Sequence, residues 1–261
     1  MPKKKLFERA PINNWQAESL RLTVFPLPAS PLSDPGWWNL LMGEVPQTQT
    51  TRAREGTTVK AGPFADSWLT NVVLPNRIDW LLTMSPEAPP PENLIPTIGT
   101  FTDKLQVFIQ VMFNWIKLDS CPEIQRIALG AVLYLPATDK ETAYRQLIPY
   151  LPSVRIDPVN SRDLFYQINR PVVSKSHPDI FINRLSKWAV SVFGIVNIQL
   201  GSETAPATVG KKIVGNHCCR LELDLSTNAN RTMALPRKEL AETLQELVHH
   251  ANTIVEQGDV G

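Results

Sequence analysis

The sequence predicts an α+β fold made of two β-α-β-β-β-α units, with mainly antiparallel sheets backed by helices. Strand-like alternation and helix-like spacing of apolar residues occur in the same order in both halves of the chain. The turn at residues 27–30 (LPAS), after the first strand, has a counterpart at residues 135–138 (LPAT) in the second half. We therefore expect an internal duplication, with helices on one face of the strands and the other face free for contact.

Length and composition favour a folded, soluble protein. At 261 residues the chain is long enough for one large domain or for two small ones that pack tightly together. We expect an N-terminal tail at residues 1–16, a first unit at 17–118, and a second unit at 119–261 that packs on the first. An apolar fraction of 43% with 20% charged residues is typical of globular proteins and argues against a disordered chain.

Charge, cysteine content and hydropathy narrow the expected surroundings of the protein. A net charge of +1 creates no global field that would recruit nucleic acid or a membrane. Three cysteines, two of them adjacent, form no disulfide framework and favour the reducing cytoplasm. The basic start lacks the apolar core of a signal peptide, and no window approaches the roughly 18 apolar residues of a membrane span. We therefore expect no membrane contact.

The first unit opens with a strand in which Leu20, Leu22 and Val24 alternate with other residues, which is the period of a strand with one buried face. Ser33 or Asp34 can cap the helix that follows. The rest of the unit is predicted, in order, as an exposed threonine-rich hairpin at 47–60 around Gly56, strands at 68–74 and 77–84, a five-proline loop at 85–96, and a largely apolar helix at 101–118.

The second unit opens with an apolar strand at residues 126–135. Because both of its faces are apolar, we expect it in the middle of a sheet that is covered on both sides. Thr138 and Glu141 have the spacing of a capping box, which predicts a helix at 139–150. Three further strands and a terminal helix follow, at residues 162–169, 189–200, 217–226 and 236–256. These patterns leave open whether the two units share one sheet.

Seven tryptophans without a catalytic signature favour a non-enzymatic interaction subunit, whose partner is another protein or a second copy of the chain. Most tryptophans must lie in the core, but an exposed one would mark an interface, where tryptophan is enriched. The candidate partner-binding residues lie on the two apolar helices of the first unit and are Trp37, Trp38, Phe108 and Trp115.

A nucleic-acid-binding module is the first alternative. Arg52, Arg54 and Lys60 lie on the threonine-rich hairpin, and basic residues on an open sheet can follow a phosphate backbone. The hairpin has no aromatic residues among these charges, so base stacking is not indicated.

A metal-dependent hydrolase or nuclease is the second alternative. Glu222 and Asp224 fall on one face of a predicted strand, with Arg220 beside them, and paired carboxylates can hold a divalent ion. A polar outer face in contact with water explains the same residues, and the sequence shows no second acidic motif that would converge on them.

The other reactive side chains predict no site. Cys218 and Cys219, with His249 and His250, match no zinc spacing, because adjacent cysteines on a strand point to opposite faces. The segment 174–177 (SKSH) is interpreted as a polar loop. The sequence lacks nucleophile-elbow, phosphate-loop and dinucleotide motifs. We therefore expect no metal and no cofactor, although catalytic activity is left open.

Three segments carry a resemblance to a known group of proteins. They are the start at residues 10–13 (APIN), the central strand at 126–136 (RIALGAVLYLP), and the strand at 221–228 (LELDLSTN) before a terminal helix rich in leucine and histidine. Together they resemble a sporadically distributed, functionally uncharacterised family of prokaryotic proteins of similar length. The resemblance covers most of the chain and brings no catalytic residues with it. It implies a partner in a cytoplasmic system of the kind encoded in mobile-element or antiviral defence loci.

Overall fold

The computed structural model describes residues 8–28, 34–89, 95–194, 197–199, 208–210 and 215–260. The strands in these ranges are β1 (Gln16–Pro26), β2 (Thr48–Arg52), β3 (Thr57–Phe64), β4 (Ser67–Leu74), β5 (Arg77–Thr83), β6 (Gly99–Thr100), β7 (Ile124–Ala137), β8 (Phe165–Asn169), β9 (Val172–Val173), β10 (Phe181–Phe193), β11 (Asn197–Gln199), β12 (Thr208–Gly210) and β13 (Asn216–Thr227). The helices are α1 (Trp37–Met42), α2 (Phe101–Lys117), α3 (Lys140–Leu147) and α4 (Arg237–Gln257).

One antiparallel sheet runs through both halves of the chain. Its order is β2-β3-β4-β5-β1-β7-β13-β10-β8, with β6 added to β1 and β9 added to β10, while β11 and β12 pair separately. Outward from the central pair stand β5, β4 and β3 on the β1 side, and β13, β10 and β8 on the β7 side. The α+β class with a mainly antiparallel sheet is confirmed, and the halves share one sheet. The internal duplication stays a prediction.

Strand alternation gives the sheet two different faces. Leu20, Leu22 and Val24 are fully buried on one face of β1, whereas Arg21 lies on the other face and is exposed. We call the face with Leu22 the core face and the face with Arg21 the open face. Each of α1, α2, α3 and α4 contributes buried apolar side chains to the same cluster as Leu22, so these helices cover the core face.

Two aromatic clusters fix the helices and connecting segments to the core face. The Trp115 ring lies 5.6 Å from that of Trp37 and 5.8 Å from that of Trp80, both edge-on. In the second half, Trp15 packs edge-on against Tyr150 and Trp188. Such pairs contribute about 0.5–1.5 kcal/mol each beyond area burial. Trp15 falls within the segment predicted as a tail, so the end of that segment belongs to the core.

The helix ends follow from individual caps. Asp34 Oδ1 accepts from the backbone N–H groups of Gly36 and Trp37, at 2.8 and 2.9 Å, while Ser33 lies outside the described residues. The predicted capping box at Thr138 is wrong by one residue. Asp139 is the N-cap, and its Oδ1 accepts a hydrogen bond from Thr142 N at 2.8 Å. Its Oδ2 accepts a hydrogen bond from the Thr138 hydroxyl at 2.9 Å, so the hydroxyl predicted to cap the helix is bonded to the cap residue. Among the described helices, none has the length and apolarity to cross a membrane.

The structure corrects one strand prediction and confirms the central position of β7. The strand predicted at 189–200 begins earlier, at Phe181. The sequence pattern misses this start because charged residues interrupt the alternation of its buried positions. Residues 195, 196 and 200 lie outside the described ranges. As expected, β7 lies in the middle of the sheet, and residues on both of its faces are buried. On the open face of β7, Ala128 and Gly130 are buried although no helix of the described residues packs there. These residues are small, and the side chains of the neighbouring strands flank them: Ala128 lies between Thr23 and Ser226.

Gly258, just after α4, provides a test of this packing. Its φ of +81° and ψ of −156° suit only glycine, and a Cβ there would stand 2.1 Å from the Tyr150 carbonyl oxygen. Gly258→Ala should therefore lower the free energy of unfolding by roughly 3 kcal/mol or more, as measured by chemical denaturation. Gly43 has a similar φ of +74° but nothing within 4 Å, so Gly43→Ala should cost only about 1 kcal/mol. Equal losses would contradict the backbone contact at Tyr150.

Candidate functional site

The four aromatic residues predicted to bind a partner lie in the core. Trp37 and Trp38 are 1% exposed, and Phe108 and Trp115 are fully buried. The apolar stripes of α1 and α2 face the sheet, because only the sheet offers enough apolar surface to cover them. The prediction is therefore corrected: these side chains hold the helices in place and offer no surface to a partner.

The basic residues of the predicted nucleic-acid surface do not converge. Arg52 and Arg54 are exposed at the hairpin, where Arg52 pairs with Glu55 at 3.5 Å. Lys60 is 8% exposed, and its Nζ lies 2.6 Å from Asp34 Oδ2. Lys60 stands on the core face of β3, opposite Asn71, so its charge ties β3 to the segment before α1 and is not available to phosphate.

Glu222 and Asp224 lie on the open face of β13, and they share this face as the sequence predicts. Glu222 pairs with Lys187 at 3.3 Å and also with Arg220. The Asp224 side chain forms no ion pair or hydrogen bond with any residue that the structure describes. No group of three or more histidine, cysteine or acidic residues within the described ranges could hold a metal ion. Protein cations, rather than further acids, surround this carboxylate pair.

The centre of the open face forms a hollow of about 200 Å³, which we call the central hollow. It exists because Gly130 places no side chain at the middle of β7. A Cβ at Gly130 would lie 3.5 Å from both Nε and Nη2 of Arg21, so the guanidinium group extends over the glycine. Strands β5, β1, β7, β13 and β10 contribute the lining, which is Ser19, Arg21, Leu81, Gly130, Ala131, Val132, Leu185, Lys187, Glu222, Leu223 and Asp224.

A small cluster on the open face closes one end of this region. Tyr134 packs edge-on against Phe193 at 5.1 Å and belongs to a cluster with Ile95 and Cys218. The Tyr134 hydroxyl donates to Glu18 Oε2 at 2.6 Å. Burial, together with this hydrogen bond to a carboxylate, raises the pKa of Tyr134 well above its ordinary value. The tyrosine is therefore a neutral donor and a structural part of this face.

Three large apolar side chains are exposed on the open face along the β8–β10 edge. Phe165, Val173 and Phe181 are 64%, 48% and 50% exposed. The strand register puts Phe165 opposite Ala189, and Val173 opposite Phe181, all on the open face. We call these three residues the apolar margin. The sequence analysis did not predict them. The available signal is that Phe165 alternates in step with the polar residues Gln167 and Asn169, which indicates a solvent-exposed face of the strand.

The polar segment at 174–177 is anchored to α4. Ser174 Oγ donates to Glu246 Oε2 at 2.6 Å, and Lys175 N donates to Glu246 Oε1 at 2.8 Å. His250 Nε2 lies 3.7 Å from the same carboxylate, so serine, acid and histidine do meet here. They are not arranged for nucleophilic catalysis, because the serine donates to the acid instead of the imidazole, and Ser174 is buried. The group fastens the loop to the helix.

The adjacent cysteines lie on opposite faces, as predicted from strand alternation. Cys219 belongs to the main core, with its Sγ 3.1 Å from the Ala143 carbonyl oxygen. Cys218 belongs to the small open-face cluster. Burial raises the pKa of both thiols above the ordinary value, to about 12 for Cys218. Both are therefore unreactive thiols at neutral pH.

No protein-family model and no curated protein matches the chain. The family resemblance of the three sequence segments therefore stays a prediction. The open face is the candidate site on physical grounds. It is the side of the sheet that the described helices leave uncovered, and it carries both the central hollow and the apolar margin.

The buried His250 predicts how stability depends on pH. Burial and the nearby charge of Arg184 lower its pKa from 6.5 to about 4, against the opposing effect of Glu246; His249 and Lys175 lower it further. Between these two pKa values the unfolded chain binds a proton at His250 and the folded chain does not, so the free energy of unfolding falls as the pH drops below about 6.5. Between about pH 7 and about pH 5 this contributes a loss of roughly 2 kcal/mol in the free energy of unfolding.

Two histidine variants check this effect by denaturant unfolding across that pH range. His250→Gln should remove most of the pH dependence, because the amide does not titrate. His249→Gln is the matched control, since His249 is exposed on the same helix, and this variant should keep the dependence. An unchanged slope in His250→Gln would show that other groups account for the loss.

Proposed function

We propose that the chain is a non-enzymatic protein-interaction subunit whose protein partner docks on the open face at the apolar margin. The observation that carries this proposal is the exposure of Phe165, Val173 and Phe181 on one face of one sheet edge. Exposed aromatic residues are typical of protein interfaces, where a few of them supply most of the binding energy. Phe165 lies opposite Ala189, eight residues along β10 from Phe181, so the two aromatic rings stand at opposite ends of this edge, roughly 26 Å apart.

The edge strand supports the same location. Within the described residues, β8 is the last strand on its side of the sheet, so its outer backbone groups pair with no further strand. An extended segment of a partner can add to such an edge through backbone hydrogen bonds, while its side chains contact the adjoining face. Phe165 lies on β8 itself, at one end of this edge, and Val173 and Phe181 form a pair where β9 adds to β10, at the other end.

The proposal includes two further statements. The matching strand order on both sides of the β1–β7 pair supports an internal duplication of a β-α-β-β-β-α unit. The family resemblance supports a partner within a cytoplasmic prokaryotic defence or mobile-element system. The two alternatives gain less support, because Lys60 is paired and buried and because Glu222 is paired with two protein cations.

The apolar margin can be tested by light scattering of the purified chain, alone and with the protein products of neighbouring genes. We expect the wild type to form a complex of defined stoichiometry with one of these partners or with itself. The double variant Phe165→Ser/Phe181→Ser should weaken that complex at least about tenfold, since each aromatic contributes more than about 1 kcal/mol at an interface centre.

Leu40→Ser is the matched control for this experiment. Leu40 is 58% exposed on α1, in the other half of the sheet, and its loss should leave the complex unchanged. A wild-type chain that remains a monomer with every partner tested would refute the proposed function. Equal weakening by Leu40→Ser and by the double variant would refute the location.

A further inference from the structure

We propose that the central hollow binds a small zwitterion, a molecule of the free α-amino acid class that carries one carboxylate and one ammonium group. This site is separate from the apolar margin and does not depend on the proposed protein partner. The proposal rests on the position of two unpaired charges, on the glycine between them, and on the size of the hollow.

Arg21 supplies the positive group. It is exposed at the middle of β1, and its side chain forms no hydrogen bond or ion pair with any residue in the described ranges. Its guanidinium group lies over Gly130, 3.5 Å from where a Cβ would stand. A guanidinium group offers a planar fork of donors that matches the two oxygens of a carboxylate. Arg21 is therefore placed to receive the carboxylate of a ligand.

Asp224 supplies the negative group. It is half-buried and likewise lacks a partner among the described residues. Glu222, its neighbour on the same face, is already paired with Lys187 and Arg220. Asp224 is therefore the carboxylate that is free to accept hydrogen bonds from an ammonium group. Burial increases the strength of such a charge-assisted contact because solvent screens it less.

The strand register places these two groups on either side of one small residue. Arg21 is the cross-strand partner of Gly130, and Gly130 is the partner of Asp224. The three residues therefore form a single row across the sheet, with charges of opposite sign at its ends. The guanidinium group extends from Arg21 over Gly130, so a ligand in the central hollow would contact it and the Asp224 carboxylate at the far end of the same row.

Charge balance and size select the class of ligand. The hollow is lined by two cations, Arg21 and Lys187, and two anions, Glu222 and Asp224, so a simple anion or a simple cation would face an unpaired group of its own sign. At about 200 Å³ the hollow is smaller than the roughly 300–1,000 Å³ of sites for drug-sized ligands. Leu81 and Leu185 provide apolar walls for a short side chain.

The experiment uses titration calorimetry of the full chain with glycine, L-alanine, L-valine and L-leucine. At least one should bind saturably, with a Kd on the order of 1 mM or tighter. The N-acetyl analogue of the best ligand lacks the ammonium group, and its amide analogue lacks the carboxylate. Each analogue should bind at least about tenfold more weakly, as expected for the loss of one charge-assisted contact.

Variants then assign each group of the ligand to its residue. Arg21→Gln should weaken the amino acid at least about tenfold and abolish its advantage over the amide. Asp224→Asn should likewise weaken the amino acid at least about tenfold, and the amino acid should then bind no more tightly than its N-acetyl analogue. Arg52→Gln and Asp119→Asn make the same substitutions at exposed positions outside the hollow, and binding should be unchanged in both.

Gly130→Ala gives a second test that removes neither charge. Its Cβ would stand 3.5 Å from Nε and Nη2 of Arg21, which is ordinary contact, so the chain should fold normally, while the methyl group narrows the floor of the hollow. Binding should be weakened, with an unfolding midpoint no lower than that of the wild type.

The proposal is overturned if none of the four amino acids binds, or if Arg21→Gln and Asp224→Asn bind as the wild type does. It is also overturned if these variants change only the molecular mass, because the charges would then join two copies of the chain. The Phe165→Ser/Phe181→Ser double variant should keep the amino-acid affinity, so failure here is distinguishable from failure of the proposed function.

Discussion

The antiparallel pairing of β1 with β7 is the constraint on which the rest of the structure depends. It joins the two halves of the chain into one sheet and aligns Leu22 with Leu129 on the core face and Arg21 with Gly130 on the open face. A shift of one residue would move every side chain of a strand to the other face. The same register therefore places both the core and the central hollow. Register shifts between Ala17 and Ser19 and between Phe25 and Pro26 mark the two ends of this regular pairing.

The one-sided helix layer follows from this arrangement and decides where function can be located. The aromatic side chains of α1 and α2 are needed to pack against the sheet, and Trp115 contacts both Trp37 and Trp80 there. They are consequently lost as candidate contacts for a partner. The surface that remains is the open face, which carries exposed apolar residues along the β8–β10 edge and charged residues around its centre.

Some charged side chains on the sheet are paired with each other, and others are left available to bind a ligand. Lys60 is matched by Asp34 and Glu222 by Lys187, so these charges stabilise the fold locally. Arg21 and Asp224 share one cross-strand row and have no partner in the described part of the chain. Two opposite charges that lie in one row, neither of them paired within the described residues, are complementary to a ligand that carries both signs, which a fully paired surface would not be.

Local periodicity determined much of this protein from sequence alone: the α+β class, the buried face of β1, the opposite faces of Cys218 and Cys219, and the shared face of Glu222 and Asp224. Each depends only on neighbours a few residues apart, for which alternation is a sufficient guide. The tertiary structure alone decided which apolar surface is covered and which charges meet. Helical spacing is the same whether Trp115 faces a sheet or a partner, and Arg21 approaches Asp224 only because β7 lies between β1 and β13. Strand order is a long-range property of the whole sheet, and no local pattern encodes it.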